Sequence, residues 1–340
     1  MWNTVSIKNK HFFRLKRSLT KNTGENMKNA RRKQRVSKKG VIVLVLYIVM
    51  ISVGVTNNLA YANDISGEKT KDNQLNVLGK IQSGLYEKIM DPDKQNERIR
   101  LILMLHGEEV PDLPQDVELI RTYSIINALL VETPMKQIPM IADLPQVRSI
   151  WEDAEEKTDL SDHIDTQSIV KAAGTNKDPN FVNFTKEIGA TQLWKQGYNG
   201  SNILISVLDA GVDITGSGGG DLDDFDGNTT TSDPKYLGGV SMVPQEPLYY
   251  TDLNGRGTFH AGIACGNGDI NSSYVGVAPD AYYLNAKVFD SLGITYWSFI
   301  ISGIEWSISH GADILLFATT IPGLYLDPVS MAINKAVDRG

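Results

Sequence analysis

The chain has 340 residues, enough for two or three compact units, and 41% of them are apolar, so sizeable cores can form. Its formal charge of -7 is unevenly spread: residues 1–39 carry 13 Lys+Arg against one acid, Glu25, and the remainder carries 20 against 39 acids. An acidic body excludes a nucleic-acid binder of the usual kind, which needs its basic footprint on the folded part. The single cysteine, Cys265, excludes an intrachain disulfide.

The first 62 residues read as an address. Arg31, Arg32, Lys33, Arg35, Lys38 and Lys39 form a positive patch, an apolar run follows from Val41 to Val55, and Ala60-Tyr61-Ala62 places small residues where a signal peptidase reads them. That order predicts a secretory signal and a secreted or extracytoplasmic product. The alternative is a retained membrane anchor over residues 41–55, a run shorter than the roughly 20 residues a spanning helix needs. Signal or uncleaved anchor would be the chain's contact with a membrane. Met27 opens Met-Lys-Asn-Ala-Arg-Arg, an ordinary signal start, and is an alternative first residue.

Residues 63–153 are expected to form a small domain. A helix-like stretch surrounds Val77–Met90, and Arg98–His106 alternates as a strand. Leu119–Thr122 and Ile125–Glu132 read as a strand pair or one bent strand. Pro134–Ala142 has helical spacing and ends at Leu144-Pro145, and Val147–Trp151 is a last short strand. Strands, a helix and another strand within this length predict a small α+β unit of ferredoxin-like type. Residues 154–187 are polar, acidic at their start and without apolar periodicity, and read as a linker.

Residues 188–340 read differently. Five of the six positions Ile203–Leu208 are apolar, which suits a central parallel strand covered on both faces. Asp209 follows at its carboxyl end, the edge where α/β sheets place their sites; such an aspartate also fits a loop residue capping a turn. Further strands are expected near Leu237–Met242, Ala281–Val288 and Asp313–Phe317, with a helix over part of Ile300–His310.

Four segments carry a resemblance. Tyr123–Asp153 (YSIINALLVETPMKQIPMIADLPQVRSIWED) resembles the propeptides that precede subtilisin-like catalytic domains. Gly255-Arg256-Gly257-Thr258-Phe259-His260-Ala261-Gly262 resembles that family's Gly-His-Gly-Thr-His-Val-Ala-Gly histidine motif, and Gly276–Gly293 and Ile300–Leu316 resemble its next core segments. The chain is thereby similar to the subtilisin-like serine proteases. The resemblance implies a signal peptide, an inhibitor-type propeptide and the N-terminal half of a catalytic domain. It also implies an incomplete parallel α/β sheet with helices on both faces and an open strand edge. Peptide or protein substrates and an intramolecular propeptide contact are implied as well.

The resemblance assigns Asp209 as the triad acid and puts Arg256 in the place of the histidine. A guanidinium has no acceptor lone pair and stays charged at neutral pH, so it cannot be a general base. A salt bridge to Asp209 is what it can offer. His260 lies one turn further on, about 5.4 Å along a helix, where the family has a small apolar residue, and is expected to pack against the core. The Gly-Thr-Ser-Met-Ala-type serine motif does not occur in this sequence, and Leu316-Phe317-Ala318-Thr319-Thr320 replaces a cleft-lining Asn-Met-Ser-Leu-Gly. The expected product is therefore an inactive serine endopeptidase homologue, the alternative being an exported peptide- or protease-binding protein. No cofactor is expected. The family often binds calcium, but the acidic stretch Gly218–Asn228 departs from the spacing of a tight calcium loop and reads as solvated.

The Ala-Tyr-Ala site predicts that the exported product begins at or near Asn63. N-terminal sequencing checks this, and an intact Met1 or Met27 on the exported protein would overturn it.

Overall fold

In the computed structural model the described residues are 79–158, 184–213, 225, 235–249, 251–269, 274–319 and 326–339. The leader, residues 1–62, and all of the 218–228 stretch except Phe225 lie outside them. The described residues fall within one compact unit, Asp72–Gly340, built around two sheets.

The first sheet follows a short helix α1 (Ser83–Ile89) and is made of β1 (Arg98–Leu105), β2 (Glu118–Tyr123), β3 (Ala128–Pro134) and, after helix α2 (Ile138–Asp143), β4 (Val147–Glu152). It is antiparallel, in the order β2-β3-β1-β4. The ambiguous middle region resolves as a hairpin. Asn127 turns the corner at φ 48°, a conformation that asparagine tolerates better than most residues.

Strand alternation then gives β1 two jobs. Leu101, Leu103 and Leu105 face α1 and α2 and pack with Leu85, Ile138, Ile141 and Ile150. Ile102 and Met104 point the other way, into a core shared with Ile300, Ile301 and Ile304 of the second half. A sheet buried on both faces needs no polar face, which is why the strand reads as a nearly unbroken apolar run.

The second half begins with β5 (Glu155–Lys157) and two short helices, α3 (Phe184–Glu187) and α4 (Ala190–Trp194). Its main sheet comprises β6 (Leu204–Asp209), β7 (Tyr236–Ser241), then after helix α5 (Arg256–Cys265), β8 (Tyr282–Lys287), and one later strand. The short β9 (Ile294–Tyr296) runs directly into helix α6 (Trp297–Ser309), and β10 (Ile314–Leu316) and α7 (Pro328–Arg339) follow. All ladders of the main sheet are parallel, in the order β10-β6-β8-β7. Ile205 and Val207 pack with Ala261 and Cys265 of α5. Leu208 packs with α6 on the opposite face, where a side chain in place of Gly303 would press on Val288. The expected α/β arrangement with helices on both faces is what forms.

Two carboxylates join the halves. Tyr296 gives α6 no side-chain cap, so the first free N–H groups of the helix need another acceptor. Asp153, at the end of β4, supplies it. Its Oδ1 accepts from the Ser298 amide at 2.8 Å, and its Oδ2 accepts from Ser298 Oγ at 2.8 Å while pairing with Arg100 at 2.8 Å. Burial pushes this carboxyl above its ordinary range, against the pull of Arg100. Further along α6, Glu305 Oε1 accepts from the amides of Ser124 at 2.6 Å and Ile125 at 2.9 Å, two turn groups of the β2–β3 hairpin. Tyr123 donates to the Ser298 carbonyl at 3.0 Å, and burial pushes its phenol up to about 12.

The sequence reading placed residues 154–187 in a linker, and the start of that stretch is a strand instead. β5 pairs antiparallel with β9, with Glu156 opposite Thr295. The strand depends on backbone hydrogen bonds and keeps its charged side chains near solvent, so it leaves no apolar period to read.

Asp153→Ala removes the cap of α6 and strands Arg100. The expected loss is roughly 2–4 kcal/mol, between the cost of a lost cap and that of a broken buried pair. Chemical denaturation of the variant against the parent measures it.

Candidate functional site

The strand end of β6 and the first turns of α5 meet at a contact that only glycine permits. A Cβ on Gly257 would stand 1.8 Å from the Gly211 carbonyl oxygen and 3.2 Å from Asp209 Cβ. Gly211 itself sits at φ 108°, with the Thr251 carbonyl where a side chain would go. The two glycines bring the first helical turns of α5 against the C-terminal end of β6. The start of α5 is fixed by Asp252, which accepts from the amides of Gly255 at 3.0 Å and Thr258 at 2.7 Å and from Thr258 Oγ1 at 2.6 Å. Burial pushes the Asp252 carboxyl up, and the charge of Asp209 adds to this.

Asp209 is 1% exposed and has three neighbours. Its Oδ1 accepts from the Ala210 amide at 2.8 Å and lies 3.4 Å from Arg256 Nη1, an ion pair without hydrogen-bond geometry. The Arg256 guanidinium stands over the Phe289 ring at 5.2 Å, and its Nη2 donates to the Ala318 carbonyl. Arg256 therefore ties together the ends of β6, β8 and β10.

The third neighbour corrects the sequence reading. His260 does not bury itself in the core: its Nδ1 lies 2.8 Å from Asp209 Oδ2, and its side chain remains 23% exposed. The expectation measured one helical turn along the axis from Arg256 and placed the imidazole out of reach. A carboxylate has two oxygens, however, and Asp209 faces the groove between the two turns. Residues at i and i+4 share a helix face, so one carboxylate meets both, Arg256 at Oδ1 and His260 at Oδ2. The Arg256–His260 spacing and the glycines around it were the signals available in the sequence; the direction from which Asp209 meets the helix face was the part it left out.

An ionised carboxylate only accepts, so Nδ1 carries a proton, and Nε2 is left as the ring's other polar atom. Phe289 is a site residue that sequence reasoning did not single out, whereas Ala318 lies in the segment that the resemblance set against a cleft-lining motif. Among the described residues no group of three or more His, Cys, Asp or Glu side chains is placed to hold a metal ion. Among them also, no helix is long and apolar enough to cross a membrane.

A second feature lies next to this one along the chain. Val288 and Phe289 donate to the Asp209 carbonyl at 2.8 and 3.2 Å, and after the turn at Asp290–Gly293 the chain returns as β9, on which β5 lies as an added antiparallel strand. Thr158 continues the ladder by donating to the Gly293 carbonyl at 2.9 Å. β9 thus carries the chain's own β5 along its edge as an extended strand.

Comparison with known proteins finds likeness over part of the chain. Residues 200–339 match the pattern of the subtilase family. The chain is 38% identical to subtilisin E of Bacillus subtilis (strain 168) over 155 residues, which is 45% of this chain and 36% of that protein. It is 30% identical to the minor extracellular protease Epr of the same organism over 238 residues, 68% of this chain and 32% of that protein. Against the alkaline protease of Alkalihalobacillus alcalophilus it is 26% identical over 295 residues, 86% of this chain and 64% of that protein. The chain spans 36% of the length of the first of these relatives.

Gly257→Ala forces the helix away from the Gly211 carbonyl. Overpacking of this kind costs roughly 1–3 kcal/mol, and the expected outcome is a lower melting temperature together with lengthening of the Asp209–His260 contact. Differential scanning calorimetry checks the first and a crystal structure of the variant the second.

Proposed function

We propose, from the premise that residues 200–339 belong to the subtilase family, that this chain is an exported serine endopeptidase homologue that does not cut peptide bonds. The observation that carries the reading is Arg256. It stands where the family's general base stands, and its guanidinium is spent on Asp209 and the Ala318 carbonyl. Proton abstraction from a hydroxyl nucleophile needs a basic lone pair at hydrogen-bond distance, and a guanidinium has none.

In this reading residues 63–153 are a propeptide-type domain. Support comes from the way that region meets α6 through Asp153, Glu305 and Tyr123. Export rests on the charged, apolar and Ala-Tyr-Ala sequence of the leader and on the likeness to a protease whose name is extracellular.

A second reading, non-catalytic binding of a peptide or of a protease, is favoured by the β5–β9 ladder. A segment whose side chains are mostly solvent-facing is held there by backbone hydrogen bonds, which is how strand addition recognises extended peptides.

The purified chain is expected to release nothing from casein or from peptide anilides above a buffer blank. Amide hydrolysis by the parent chain that disappears in Asp209→Ala would refute the reading.

A further inference from the structure

We propose that His260 and Asp209 form a working acid–base dyad that activates water toward small activated aryl esters, one helical turn from the position at which the family carries its base. The inference does not depend on the absence of proteolysis. It stands on the local geometry.

The Asp209 carboxylate cannot turn freely. The Ala210 amide and Arg256 hold Oδ1 on one side, and this aims Oδ2 at His260 Nδ1 at 2.8 Å. The arrangement fixes both the ring orientation and the tautomer, and it stabilises the ring when it takes a proton. His260 Nε2 makes no hydrogen bond within the described residues and is not among the polar side-chain atoms sealed from solvent without a partner. It is therefore open to a water molecule. Beside it, the Phe259 ring lies 5.7 Å from the imidazole and is 39% exposed, and Ile263, one turn on, is 36% exposed. These two side chains offer an apolar surface to an aromatic ester.

The step balances without any other reagent. A water O–H proton passes to Nε2 as the water oxygen bonds to the ester carbonyl carbon. The tetrahedral adduct collapses, the acyl C–O bond breaks, and aryloxide leaves with the bonding pair. The imidazolium returns its proton to solvent or to the aryloxide, leaving a carboxylic acid and a phenol. An amide nitrogen would need that proton in order to leave at all, whereas a nitrophenoxide does not. Esterolysis and the lack of proteolysis are therefore compatible in one molecule.

The test uses the purified full chain and p-nitrophenyl acetate, with steady-state nitrophenol release measured after any initial acylation burst. General-base assistance is worth roughly 10²-fold or more. His260→Asn is expected to lower the rate at least about tenfold, down to the background of the other histidines, and His310→Asn is expected to leave it unchanged. The proton NMR spectrum supplies a readout that a merely structural role would not give. The parent should show a far-downfield Nδ1–H resonance that is missing in His260→Asn and moved upfield in Asp209→Asn.

A His260→Asn protein with parental near-UV circular dichroism and parental rate would overturn the proposal. So would a parent spectrum without the downfield resonance, a result that does not depend on any variant folding. Casein cleavage by the parent would refute the reading of the previous subsection and leave this one standing.

Discussion

The arrangement of the site rests on one buried carboxylate at the end of a parallel strand. Asp209 is sealed from water, and an isolated ionised carboxylate there would be costly. Its surroundings answer that cost three times, with a backbone amide, a guanidinium and an imidazole. The amide is that of the next residue along the chain, Ala210, whereas the guanidinium and the imidazole sit where they do because α5 comes so close to β6, and that approach is set by Gly257 against Gly211. Strand, helix and side-chain chemistry are coupled through one steric allowance the width of a missing methyl group.

The same economy governs the junction between the two halves. α6 begins without a cap of its own, and Asp153 from the first sheet provides one while balancing Arg100. Glu305 on the same helix returns the favour to the hairpin at Ser124 and Ile125. Each half satisfies polar groups that the other leaves open. Ile102 and Met104 add the apolar contact that makes exclusion of water worthwhile. A helix that supplies part of the core and is capped from outside is more firmly placed with its partner sheet than without it.

Much of this was legible in the sequence. The apolar run over Ile203–Leu208 gave the central strand because it is buried on both faces. The alternation around Arg98–His106 gave β1, and the glycine-rich octet Gly255–Gly262 gave the start of α5. Two things were not legible, for different physical reasons. β5 has no hydrophobic signature because backbone hydrogen bonds, with Tyr296 and Trp297 donating to Glu155 and Glu156, hold it in place of apolar burial. The contact of His260 with Asp209 depends on the direction from which a carboxylate approaches a helix face, and spacing along one helix does not contain that direction. Arg256 on Asp209, by contrast, followed from the resemblance, which set a cation beside the position of the triad acid.

The short ladder between β5 and β9 has a further consequence, which concerns competition. Only Asp153 and Ala154 separate β5 from β4, and Asp153 is itself anchored on α6. A strand tethered this tightly is present at its docking edge at an effective concentration on the order of millimolar or above. Any free peptide seeking the same edge therefore meets an occupant it cannot dilute away. Such a peptide would gain the edge through higher intrinsic affinity or after the tether is cut. Cutting the chain between the two halves would change the molecularity of that contest from intramolecular to bimolecular, and the edge would then respond to how much peptide is present.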